Sequence, residues 1–140
     1  MKRYLSILIL TVIAMTSFAA SWRIKTSDGF LSAQKLARKG DSIIWLSGVY
    51  SNIQLEIEKN GIVCCAENVG SVTFTGESFF KLTADSAVFS GFQFRDGQTK
   101  DDVLEVSGNH NILENLNFSN YHSKYYLDVL PSGQYNLIAH

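Results

Sequence analysis

From Asp41 onward the chain alternates short apolar runs with clusters of Gly, Asn, Asp and Ser. The runs at 42–46, 53–57, 62–66, 71–75, 79–83, 87–94, 103–106, 111–118 and 125–130 are rich in Val, Ile, Phe and Thr, and Pro131 is the only proline. Runs of this length and composition predict strands rather than a coiled coil or a membrane span. Ahead of them, Phe30, Ala33, Leu36 and Ala37 recur at helical spacing and share one face. Ser27 or Asp28 suits the N-cap of that helix, and Lys39 with Gly40 suits its C-terminal end. The pattern predicts one short helix, 30–38, followed by an all-β body.

The strands repeat. Ser86-Ala87-Val88-Phe89-Ser90-Gly91-Phe92-Gln93-Phe94 recurs as His110-Asn111-Ile112-Leu113-Glu114-Asn115-Leu116-Asn117-Phe118, a shift of 24 from Ser86 to His110. Tyr135-Asn136-Leu137-Ile138-Ala139-His140 restarts it 25 residues after His110. A unit of that length built from short strands predicts a solenoid whose turns stack on one another. Stacking places Phe94 against Phe118 and Phe92 against Leu116 as inward ladders. Gly91 and Asn115 share a slot between apolar pairs, and both tolerate a left-handed backbone, so the slot is a corner. Asn111 and Asn136 also coincide, which suits stacked side-chain amides. A β-sandwich has many short strands but no reason for matched residues at a fixed shift. The expected fold is a right-handed parallel β-helix.

The first residues change the picture of where this happens. Lys2 and Arg3 precede an apolar stretch at 5–14, and Ser17-Phe18-Ala19 places small residues at the −3 and −1 positions of a cleavage site. This order predicts a signal peptide at 1–19, an N-terminal cap at 20–40 and β-helix turns at 41–140. The apolar stretch is short of the ~20 residues that span a bilayer. The mature protein is therefore expected to be secreted or periplasmic, with no membrane partner after cleavage. Removing Lys2 and Arg3 takes the formal charge from −1 to −3. The remaining residues suffice for a single core, and nothing is basic enough for nucleic acid. Cys64 and Cys65 are adjacent, so on a strand they face opposite sides and cannot bridge. They lack any metal or redox spacing.

The opening Gly40-Asp41-Ser42-Ile43-Ile44-Trp45-Leu46-Ser47-Gly48-Val49-Tyr50 resembles the "GD-x-I-x-L-x-x-G-x-Y" start of polysaccharide-degrading β-helices. Val72-Thr73-Phe74-Thr75-Gly76, Lys81-Leu82-Thr83 and Val88-Phe89-Ser90-Gly91-Phe92-Gln93-Phe94-Arg95-Asp96-Gly97 narrow the likeness to the N-terminal part of polysaccharide lyase family 6, which contains alginate lyases and chondroitinase B. Tyr126-Leu127-Asp128-Val129-Leu130 followed by Asn136-Leu137-Ile138-Ala139-His140 resembles that family's "W-x-x-L…N-x-V-x-H" segment. The resemblance implies β-elimination at a uronic acid. A Lys removes the C5 proton, an Arg aids departure of the C4 oxygen, and the substrate carboxylate is neutralised, often by calcium on Asn and Glu ligands. In the family those residues lie on later turns, past an "N-x-F-x-G-K" phrase that follows the histidine. No catalytic residue and no metal ligand is therefore expected within this chain, and calcium is expected only of the complete family protein.

The remaining polar residues offer little chemistry of their own. Glu114 and Asp128 alternate with apolar neighbours and are expected on the outer face, unpaired as an acid/base couple. Asp101 and Asp102 are expected in a solvated loop, without EF-hand spacing. His110, His122 and His140 match no triad or metal motif. Arg95, Lys100, Lys124, Tyr121, Tyr125 and Tyr126 suit contact with an anionic sugar chain. A terminal β-helix turn exposes backbone and core, so association is expected through an uncapped C-terminal end at 136–139. Two functions fit: the N-terminal portion of an exported uronate-polysaccharide lyase, inactive alone, or a non-catalytic module that binds polysaccharide or a protein partner.

Overall fold

A computed structural model describes residues 18–139, and the expected signal peptide lies outside them except for Phe18 and Ala19, as does His140. The described chain begins with strand β1 (Ser21–Ile24) and helix α1 (Ser27–Leu36). A first turn follows, made of β2 (Ser42–Trp45), β3 (Gly48–Ser51) and β4 (Gln54–Ile57). The second is β5 (Val63–Ala66), β6 (Val72–Gly76) and β7 (Phe79–Leu82); the third is β8 (Val88–Ser90), β9 (Phe92–Gln98) and β10 (Leu104–Val106). The fourth is β11 (Ile112–Glu114), β12 (Asn117–His122) and β13 (Leu127–Val129), and β14 (Leu137–Ala139) starts a fifth. Each turn gives one strand to each of three parallel sheets, ordered β1-β2-β5-β8-β11-β14, β3-β6-β9-β12 and β4-β7-β10-β13. This is the right-handed parallel β-helix that the repeat predicts. The register follows the repeat directly: Phe94 pairs with Phe118, and Ile112 pairs with Val88 below and Leu137 above.

The corners show how the sequence makes three sheets from one repeat. Gly91 (φ 85°) and Asn115 (φ 54°) turn the chain from the first sheet to the second, as their shared slot predicts. They split the runs 87–94 and 111–118 into two strands each. Asn52, after β3, and Gly76, Asp96 and Asn120, within β6, β9 and β12, adopt left-handed φ near the exit from the second sheet. Gly61, Ser86, His110 and Tyr135 do so between the third and first. Asn111 and Asn136 form a ladder, their amides making the same bonds one turn apart. Asn111 accepts from the Ala87 N–H (2.8 Å) and donates to the Ala84 carbonyl (2.8 Å). Asn136 accepts from the Asn111 N–H (2.8 Å) and donates to the Gly108 carbonyl (3.0 Å). Each asparagine satisfies backbone groups of the turn below, which a buried corner requires.

Alternation on each strand sends Ile43, Trp45, Cys64, Phe74, Phe80, Phe89, Phe92 and Leu113 inward, all fully buried. Their rings touch in a column, with Phe74 at 4.8 Å from Phe80 and 5.3 Å from both Trp45 and Phe92. Phe94 stacks on Phe118 at 5.1 Å. Cys64 is enclosed and Cys65 half-buried, both free, with burial pushing both thiols up.

Helix α1 packs on β1, β2 and β4 and covers the N-terminal end of the core. Its details differ from expectation. Thr26, rather than Ser27 or Asp28, is the N-cap, its Oγ1 accepting from the Gly29 N–H at 3.0 Å. All three residues are capable caps, and the one in extended conformation (φ −141°) takes the role. The helix ends at Leu36, and Leu36 is 62% exposed while Phe30, Ala33 and Ala37 are buried. Strands β1 and β3 are additions to the expected set. The first pairs with β2 through Trp22↔Ile43 and extends the first sheet beyond the helix.

Candidate functional site

The corner between the second and third sheets changes along the solenoid. In the two lower turns it is a tight link, residues 52–53 and 77–78; in the third and fourth turns it widens to residues 99–103 and 123–126. The strands leading into it lengthen too: β9 has 7 residues and β12 has 6, against 4 for β3. Between β6 and β9 the register slips from Phe74↔Phe94 to Gly76↔Gly97, so a bulge at Arg95 and Asp96 bends the longer strand outward. The two long loops are themselves stacked. Thr99 N–H donates to the His122 carbonyl (2.8 Å), Lys124 N–H to Asp101 (3.1 Å) and Val103 N–H to Tyr125 (3.0 Å).

The widened corner leaves two concavities. A shallow groove of about 510 Å³ runs across Asn52, Glu77, Asp96, Gln98, Asn120 and His122. Its floor is the left-handed slot, where Asn120 Nδ2 donates to Asp96 Oδ1 (2.6 Å) and Asn52 Oδ1 accepts from the Glu77 N–H (2.9 Å). Arg95 pairs with Asp96 at 3.4 Å. On the far side of the loops a pocket of about 310 Å³ is lined by Lys81, Asp102, Glu105, Lys124 and Asp128. Lys100, His122 and Lys124 rim the space between them.

Of the residues expected to meet a sugar chain, Lys100, Lys124, Tyr125 and Tyr126 gather at this corner, and Arg95 stands on the bulged strand leading into it. Tyr125 and Tyr126 are exposed; the Lys124 ammonium lies 5.2 Å from the Tyr125 ring centre, and Tyr126 stacks on Phe118 at 5.3 Å. Such aromatic faces beside cations suit a sugar ring that carries a carboxylate.

Tyr121 is a correction. It is 3% exposed, and its hydroxyl lies 2.8 Å from the Gly76 carbonyl and 2.6 Å from the Ser78 carbonyl while accepting from the Ser78 N–H at 2.9 Å. It braces the corner from inside and is closed to a ligand. Asp102 is a second correction: it is 9% exposed rather than solvated, and its Oδ1 is buried without a hydrogen-bond partner. Burial, and then the Asp128 carboxylate, raise its pKa above the ordinary aspartate value, with Lys124 opposing.

Glu114 and Asp128 are both half-buried and far from forming a couple: Glu114 accepts from the Ser90 hydroxyl (3.2 Å) on the first sheet, while Asp128 lines the pocket on the third. His110 stacks on Tyr135 at 5.1 Å, away from His122. Asn52, Glu77, Asp96, Gln98 and Asn120 carry no chemical signature in the sequence. Their signal in the sequence is positional, a slot of Asn, Gly, Asp and Asn at left-handed corners. Among the described residues no three His, Cys, Asp or Glu side chains converge as a metal site requires.

The sequence profile of the chondroitinase B family matches residues 24–125, from β1 to the loop that carries Tyr125. The chain belongs to the chondroitinase B family. Among solved structures, this chondroitinase B-family chain resembles the family 6 polysaccharide lyase from Pseudopedobacter saltans at 25% identity and a TM-score of 0.76, covering 83% of this chain and 29% of that one. It resembles the family 6 alginate lyase AlyGC at 25% identity and a TM-score of 0.69, covering 71% of this chain and 15% of that one. The chain thus spans less than a third of the length of these solved relatives. No curated protein matches it significantly. Family membership covers both the aromatic column and the widened corner, so the stacked loops at 99–103 and 123–126 belong to a polysaccharide lyase scaffold.

Proposed function

We propose that this chain forms the first turns of an exported polysaccharide lyase that cleaves uronate-containing polysaccharide, alginate or dermatan and chondroitin sulfate, by β-elimination. The observation that carries this reading is the family match across 24–125 on a β-helix of the same architecture. β-Elimination needs a base at C5, a group that assists the leaving oxygen at C4 and positive charge at the carboxylate. In the described turns, Lys100 and Lys124 at the widened corner and Arg95 on the strand leading into it suit binding of an anionic chain rather than bond cleavage. Lys100, Lys124 and Arg95 supply charge, and Tyr125 and Tyr126 supply flat apolar faces. The chain by itself therefore holds substrate without cleaving it, and the chemistry comes from turns that follow in the complete family protein.

The test uses the chain with alginate, dermatan sulfate and a neutral glucan. The expected result is salt-sensitive retention on the two uronate polymers, none on the glucan, and no ultraviolet-absorbing unsaturated ends. Fusion of later turns from a family lyase should bring out unsaturated ends on one of the two polymers. Equal retention on the neutral glucan, or none on any polymer, overturns the uronate reading. Unsaturated ends from the chain alone overturn the assignment of the chemistry to later turns.

A further inference from the structure

The peptide bond between Ala19 and Ala20 stands at the edge of the folded body. Phe18, Ala19 and Ala20 are exposed, and among the described residues Ala20 is the first whose backbone is tied into the β-helix. Its carbonyl accepts from the Ser42 N–H at 2.9 Å, the first bond of the first sheet. Its N–H donates to Asp41 Oδ1 at 2.7 Å. The other oxygen of Asp41 accepts from the Arg38 N–H at 2.8 Å, and the Asp41 backbone bonds back to the Arg38 carbonyl and on to the Val63 N–H. Asp41 is 6% exposed, and the other charged side chains lining this hollow beside Ala19 and Ala20 are the cations Arg38 and Lys39. A fixed carboxylate thus faces the nitrogen of the residue that follows Ser17-Phe18-Ala19, the small-residue pattern of a leader cleavage site.

We propose that a leader peptidase hydrolyses the Ala19–Ala20 bond and that Asp41 receives the resulting α-ammonium of Ala20, locking the first rung of the solenoid. Water supplies the balance: its oxygen goes to the Ala19 carboxylate, which departs with the leader, and the Ala20 nitrogen gains protons to become an ammonium. Before cleavage that nitrogen offers Asp41 a single neutral N–H. Afterwards it offers a full positive charge at the same place, and a charge-assisted bond is shorter and stronger than a neutral one. An asparagine at this position fails on geometry, because its amide nitrogen would confront either the Arg38 N–H or the ammonium, both donors. Cleavage therefore both releases the chain and strengthens its N-terminal cap.

The sign of the pH dependence follows. Pairing raises the pKa of the amine, so its contribution is complete below the ordinary α-amino value of about 7.7–8.0 and is lost as pH rises through the shifted one. Asp41 is lowered by the backbone N–H groups of Arg38 and then Ala20, so its contribution is lost as pH falls through its own shifted value. The pair is complete between those limits, opposed by Arg38 and Lys39, the cations that line the hollow among the described residues.

The experiment exports the full chain from a bacterial host and reads the N-terminus by sequencing and intact mass. Ala20 is the expected first residue. Acylation of the amine is then followed against pH by mass spectrometry. The half-labelling pH of the mature chain should lie about one unit above the ordinary α-amino range, and Asp41→Asn should return it to that range. In a second arm, Asp41→Asn is compared in the mature chain and in one that retains Phe18 and Ala19. The mature chain should lose more degrees of Tm. A retained leader, a first residue other than Ala20, an amine that titrates ordinarily in folded wild type, or equal losses in the second arm overturns the proposal.

Discussion

At the N-terminal end, Asp41 is buried with both carboxylate oxygens on backbone donors, and those donors hold its pKa below the ordinary value. In the third turn, Asp102 is buried to nearly the same degree with one oxygen unpartnered beside Asp128, and its pKa is raised. The same side chain at similar exposure is thus satisfied in one region and frustrated in the other. The satisfied carboxylate belongs to the cap, where it ties the first strand to the helix. The frustrated region is the widened corner, where cations, exposed tyrosines and two concavities gather. Among buried side-chain oxygens, the unpaired ones, Asp102 Oδ1 and Ser123 Oγ, both lie at this corner, while the unpaired indole N–H groups of Trp22 and Trp45 lie at the N-terminal end.

The contrast between the lower core and the widened corner can be broken most forcefully from the core side. Phe74→Ala removes the ring at the centre of the aromatic column and should cost about 3–5 kcal/mol by thermal or urea unfolding. Phe118→Ala, at the half-buried upper end of that column, should cost clearly less. Equal losses would mean that the two ends are packed alike. Tyr121→Phe comes next. It strips one hydroxyl from three backbone groups at Gly76 and Ser78, and a loss of about 1–3 kcal/mol is expected, with retention on uronate polymers unchanged. A loss of retention with no loss of stability would restore Tyr121 to the sugar-binding set.

The aspartate pair sharpens the comparison through pH. Asp41→Asn should lower Tm at pH 7 by several degrees, with the difference shrinking as pH falls and wild-type Asp41 itself becomes protonated. Glu67, lowered by the Ser47 N–H and hydroxyl and then by Arg23, adds to the acid sensitivity of the same end. Asp102 has the opposite sign. Its folded pKa is raised, so its charge destabilises the fold as pH climbs past the unfolded value of about 3.9. Asp102→Asn should therefore raise Tm at pH 7 and leave it nearly unchanged at pH 3. A fall in Tm at pH 7 would show that the carboxylate has a partner. The smallest effect on stability is expected from Lys124→Ala, whose Tm should barely move while its salt-sensitive retention on alginate or dermatan sulfate drops.

Much of the fold was legible because a solenoid writes its register into the sequence. The 24-residue shift fixed Phe94 over Phe118, and the shared slot of Gly91 and Asn115 marked a corner. Strand β3 escaped because Val49 and Tyr50 are its only large apolar residues and Val49 points to solvent. Tyr121 was misplaced for a specific reason. Alternation from Phe118 sends it outward, but Asn120 sits at φ 48°, and a left-handed residue resets which side the next one faces. Asp102 carries no periodic signal, since its burial comes from one loop lying on another. The acidic and amide residues of the groove were invisible as chemistry because their role is first a backbone one.

Among the described residues, each strand bonds only to strands one turn away, on both sides in the interior of a sheet and on one side at its ends, through residues some 20 to 25 positions away in the chain. No pairing waits for a distant segment to be made. Each added turn closes a loop of similar length onto a finished template, so the entropic toll per turn is nearly constant rather than growing with chain length. A chain wired in this way can assemble in the order in which it emerges, N-terminal end first. The cap formed by β1, α1 and Asp41 is then the seed on which every later turn is laid down.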